Sequence, residues 1–60
     1  MELVRVEFIV KGSVVVEQVN LNAVSRLFRN ERGCFVGLIG ESFTKQISFE
    51  SYQDLVGYED

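Results

Sequence analysis

The chain has no histidine and a single cysteine, Cys34, and those scarcities exclude much of catalysis and most metal chemistry. Without an imidazole, no side chain is poised near neutral pH as an acid-base group unless a carboxylate or a lysine is heavily shifted. Zinc favours clusters of cysteine and histidine, and the nine acidic residues show no spacing like a calcium loop. No enzyme, cofactor or metal site is therefore expected. Cys34 has no partner within the chain, so neither a disulfide nor a metal can support the fold of one copy. It starts a strand expected to be buried, where a free thiol serves as a small hydrophobe.

Long apolar runs are also missing. None approaches the ~20 residues of a membrane span, and the opening MELVRVEF alternates charged and apolar residues instead of forming a signal-peptide core. A soluble, cytoplasmic protein with no membrane contact is the expectation. Positive charge is scarce as well, six basic residues against nine acidic ones for a net charge of −3, which weighs against a general nucleic-acid binder. There is no linker, repeat or low-complexity segment, so residues 1–60 read as one domain.

What the chain has is hydrophobic content, 47% over 60 residues, enough for a core and too much for disorder. A domain this small buries only about 60% of the surface it exposes unfolded. Its stability is expected to be marginal, and oligomerisation is the remaining support. Chains of this size are found among the accessory proteins of bacteria, phages and mobile elements.

Residues 3–10 alternate, with Val4, Val6, Phe8 and Val10 on one face and Arg5 and Glu7 on the other, as in a half-buried strand. Lys11-Gly12-Ser13 is a hairpin signal, because glycine reaches positive φ without strain. Val14 to Val19 then forms the returning strand, with valines on both parities and no readable register. From Leu21 the apolar residues Leu21, Val24, Leu27 and Phe28 take helical spacing. Asn20 is placed to cap this helix and Gly33 to end it, giving a helix over residues 21–32. Glu41-Ser42 reads as a second turn, and Phe43 to Glu50 as a strand with Phe43, Ile47 and Phe49 inward and Lys45 at the rim. Ser51 and Asp54 match a helix start, for a short helix over Tyr52 to Val56 ended by Gly57, with Tyr58 to Asp60 fraying.

The expected fold is therefore α+β, in the order ββαββ(α), with a four-stranded, mainly antiparallel sheet and one helix packed on one face. Over about the first 33 residues the strand-turn-strand-helix order resembles the ubiquitin-like β-grasp fold. That resemblance implies a first strand paired in parallel with a later one. It implies no function, since the chain ends Tyr58-Glu59-Asp60 and not in the Gly-Gly of activated carriers.

Three features bear on function. The run Cys34 to Gly40 is uncharged and apolar on both parities, so Val36 and Leu38 face one way while Phe35 and Ile39 face the other. One helix covers one face only, and a monomer rarely leaves the other wet. Self-association is therefore expected through Phe35, Ile39, Gly37 and Ile9, with Val15 or Val16 extending the patch. Gly37 and Gly40 mark a bulge or a close backbone approach, since the glycines lack the spacing and lysine of a phosphate loop. Second, Arg26, Arg29 and Arg32 lie within the expected helix. They read as its solvated face, with contact to a phosphate backbone or to a partner's acids as alternatives. Third, Glu50, Asp54, Glu59 and Asp60 make the C-terminal end acidic, and Tyr52, Asp54 and Tyr58 form an aromatic-acidic contact end there. The leading expectation is a non-enzymatic interaction or regulatory module, a homodimer that also binds an unidentified protein partner. The alternative is a nucleic-acid-binding protein that uses the arginine helix 21–32.

Overall fold

The structure is a computed structural model that describes residues 2–59, the side chain of Glu59 excepted. The acidic residues Glu59 and Asp60 of the expected contact end thus fall outside the described side chains. The first strand, β1 (Leu3–Val10), turns at Lys11-Gly12 into β2 (Ser13–Asn20). Lys11 and Gly12 have φ of 51° and 81°, as the type I′ turn of a two-residue hairpin requires. This turn fixes the register that the valine run leaves open, setting Phe8 opposite Val15 and Ile9 opposite Val14. Val4, Val6 and Phe8 are buried, matching the alternation of the sequence.

Residues 21–32 are not a helix. Leu21–Ala23 make one 3-10 turn, capped by the Asn20 side chain, and β3 (Val24–Asn30) follows. The physical reason for the misleading period is a register shift between Val24 and Arg26. A bulge adds one residue to the strand, so Val24 and Leu27, three apart, pair with Leu38 and Val36 of the same neighbour face. The 3-10 turn sets Leu21 three residues before Val24, and together they imitate an amphipathic helix. Gly33 is accordingly no helix cap. It opens β4 (Gly33–Leu38) after the Glu31-Arg32 turn, at φ 137°, with Asn30 Oδ1 accepting from the Arg32 N–H at 2.8 Å.

The expected strand 43–50 shrinks to β5 (Lys45–Ile47). Ile47 is buried as expected, but Phe43 is 83% exposed in the loop before β5 and Phe49 starts the helix α1 (Phe49–Glu59). The helix begins earlier than Ser51 because Ser48 takes the capping role, its Oγ accepting from the Ser51 N–H at 3.1 Å. It also continues through Gly57.

The fold is thus α+β with an antiparallel sheet and one helix packed on it. The sheet has five strands, in the order β2-β1-β5-β4-β3, and the helix is the C-terminal one. Every described pairing is antiparallel, including β1 with β5, so the parallel pairing implied by the β-grasp resemblance does not occur among the described residues.

The sheet also has to roll. Asn20 and Val24 sit on its two edges, four spacings apart, which is about 19 Å if flat. The pairings from Leu3 to Phe8 and from Cys34 to Leu38 add nine residues of offset along the strands, about 30 Å. Four residues of chain reach at most about 14 Å. Coiling of the staggered sheet closes that gap and defines an inner and an outer face. The inner face holds Val4, Val6, Phe8, Val19, Cys34, Val36 and Ile47, covered by Leu55 of α1. Burying a side chain such as Leu55 contributes about 1.5–3 kcal/mol.

Candidate interaction surface

The outer face and the two edges are what this architecture presents to a partner. Phe8 faces Ile47, so their neighbours Ile9 and Gln46 turn outward, and Gln46 pairs with Phe35, which pairs with Phe28. An outer row therefore runs from Val14 through Ile9 and Gln46 to Phe35 and Phe28. The Phe28 and Phe35 rings stack with centroids 5.4 Å apart, and the Arg26 guanidinium lies over Phe28 at 5.1 Å. Those contacts leave Phe28 and Phe35 half-buried. Gly37 lies on the same face and is buried, with Arg26, Ser25 and Thr44 so close that an added Cβ would sit 3.3 Å from Arg26 Cβ. The strand also accepts a side-chain bond there, from Ser25 Oγ to the Gly37 carbonyl at 3.1 Å.

Of the residues expected to mediate self-association, Phe35, Gly37 and Ile9 share this outer face. Ile39 does not join them. It lies past the end of β4, 67% exposed, with its N–H donating to the Ala23 carbonyl.

The three arginines are not on one surface. Arg26 is on the outer face, Arg29 on the inner side over the Phe49 ring at 5.7 Å, and Arg32 in the β3–β4 turn. Arg29, Phe49, Tyr52, Gln53, Val56 and Gly57 line a solvent-open groove of about 370 Å³. The expected contact end divides likewise, since Tyr52 packs against the core while Asp54 and Tyr58 are exposed on α1. Cys34 is a buried free thiol. Among the described residues no cluster of histidine, cysteine, aspartate or glutamate has the makings of a metal site, and no helix is long and apolar enough to cross a membrane.

A further open feature is the free edge of the sheet at β2. β2 is an edge strand of eight residues whose members from Ser13 to Gln18 are all exposed. Val14, Val15 and Val16 are 61%, 41% and 47% exposed. Val14 was missing from the expected patch because its direction depends on register. The signal that fixes register is the Lys11-Gly12 pair, which places Ser13 in the strand and not in the turn.

The arrangement defines a class, a rolled five-stranded antiparallel α+β domain with an uncovered edge. Comparison with protein-family models, with curated proteins and with solved structures returns no match.

Proposed function

We propose that the chain is a small non-enzymatic protein-interaction module, one that receives a strand from another polypeptide along β2. The observation that carries this reading is the exposed Val14-Val15-Val16 on an open edge. Edges of folded proteins are ordinarily blunted by charge, proline, bulges or cover, and an uncharged edge invites strand addition. From Ser13 to Val16 β2 carries no such device. The reading assumes a reducing cytoplasm, in which Cys34 remains a thiol.

The outward N–H groups of Val14, Val16 and Gln18 report on it directly. Their exchange with solvent is followed by NMR in the isotope-labelled chain, across concentration and in extract of the native host. Slowing by about tenfold or more in either condition is expected. Rapid exchange in both would overturn the reading.

A second reading, nucleic-acid binding, draws support from Arg26 beside the stacked Phe28 and Phe35. Aromatic faces with a neighbouring arginine suit single-stranded bases. It predicts binding that weakens steeply with salt and is lost in Arg26→Ala. Absence of binding at low salt removes it.

A further inference from the structure

Resting on the reading of β2 as an adhesive edge, we propose that its occupant is a second copy of this chain, paired antiparallel about a two-fold axis through Val15. Hydrogen-bond direction supplies the first constraint. Val10 and Ser13 flank a two-residue turn, so they form a hydrogen-bonded pair, and such pairs alternate along the ladder. Ser13, Val15, Glu17 and Val19 then direct their backbone groups to β1. The Leu21 N–H donating to the Glu2 carbonyl at 3.0 Å is the next rung of that alternation. Val14, Val16 and Gln18 direct theirs to the free edge.

A second β2 must therefore match these outward residues with one another. Centring the axis on Val14 sets Val15 against Ser13 and Val16 against the turn. With Val16 at the centre, Val15 meets Glu17, and with Glu17 at the centre two carboxylates face each other, which is destabilising. Only the Val15-centred register sets each exposed valine of β2 against another. There Val14 and Val16 form hydrogen-bonded pairs with Val16 and Val14 of the second copy, while Val15 meets its own twin.

Charge supplies the second constraint. Lys11 precedes the uncharged stretch and Glu17 follows it, and neither has an ion-pair partner among the described residues. Antiparallel self-pairing brings Lys11 of each copy diagonal to Glu17 of the other, within reach of a lysine side chain. Parallel pairing would bring like charges together. The antiparallel contact uses the same residues on both copies, so it closes as a dimer.

Oxidative cross-linking tests the register, with the wild-type chain, whose sole thiol is buried, as the blank. In Val15→Cys the twin residues form a non-hydrogen-bonded pair about 4.5 Å apart between Cα atoms, within disulfide range. In Val14→Cys the twins are diagonal, about 7–8 Å apart, and should link at least about tenfold more slowly. Light scattering is expected to give twice the 6.8 kDa chain mass. Glu17→Lys should weaken the dimer about tenfold and Lys11→Glu added to it should restore it. Equal linking of the two cysteine variants, or none, would overturn the register. A purified chain that stays monomeric while its β2 amides are protected in extract would overturn the second copy and leave the interaction reading standing. Monomer without protection would end both.

Discussion

Ser51→Ala tests how the sheet copes with a central strand of three residues. Because β5 pairs with β1 only at Phe8, the backbone of Glu7 on that side has no strand partner. The first turn of α1 takes the vacant place. The Glu7 N–H donates to Ser51 Oγ at 2.9 Å, and the Glu7 carbonyl accepts from the Ser48 N–H at 3.0 Å. Ser48 Oγ also donates to Glu7 Oε1 at 3.0 Å, tying the helix cap to the strand. Ser51 is 3% exposed, so removing its hydroxyl leaves a shielded amide unpaired. That loss costs about 1–3 kcal/mol. Alanine's better helix propensity returns about 0.5 kcal/mol, and the net expectation is about 0.5–2.5 kcal/mol. A domain of this size has roughly 3–9 kcal/mol in all, at about 0.05–0.15 kcal/mol per residue. The thermal midpoint should fall by roughly 2–20 °C. Urea denaturation followed by circular dichroism measures the loss, at one fixed protein concentration because the proposed association would stabilise the fold. Ser42→Ala, in the exposed loop, serves as control. If the two variants unfold alike, α1 does not complete the β1 ladder. A double-mutant cycle of Ser48→Ala with Ser51→Ala should show coupling above about 0.5 kcal/mol.

Two glycines contrast a strained backbone beside a flexible side-chain end with crowding at an ordinary φ. Gly33→Ala places a side chain at φ 137° and 2.8 Å from Gln46 Nε2, so a loss of about 1–3 kcal/mol in urea unfolding is expected. Gly37→Ala meets only the 3.3 Å contact with Arg26 Cβ at an ordinary φ, and should lose less than Gly33→Ala in the same experiment, about 1 kcal/mol. The reverse order would show that the crowding by Arg26, Ser25 and Thr44, and not the turn geometry, dominates.

The sequence made β1 legible because it is buried on one face, and simple alternation survives there. It also marked the run from Cys34 as apolar on both faces, and β4 lies inside the sheet between β5 and β3. Periodicity failed where the backbone is irregular. A bulge and a 3-10 turn between Leu21 and Leu27 produced a helical spacing on a strand. The start of α1 was misplaced because Ser48 and Ser51 are both plausible caps, and only the contact with Glu7 distinguishes their roles. Phe43 and Phe49 continued an inward parity past the ends of β5, which stops short of both. As for the candidate surface, the sequence exposed the surplus of apolar residues, but the stacking of Phe35 on Phe28 partly meets it from within. The free edge depends on strand order, a property that local patterns do not encode.

The order β2-β1-β5-β4-β3 has a consequence for synthesis. Both hairpins, β1–β2 and β3–β4, join neighbours in sequence and can pair as soon as they emerge from the ribosome. The strand that unites them, β5, is made after both. Until residues 45–47 appear, β1 and β4 each present an open inner edge, and that of β4 is the uncharged segment around Phe35 and Val36. The nascent chain thus passes through a stage with two unpaired edges and apolar surface exposed, the condition under which growing chains associate wrongly. That stage ends when Ile47 docks between Phe8 and Cys34.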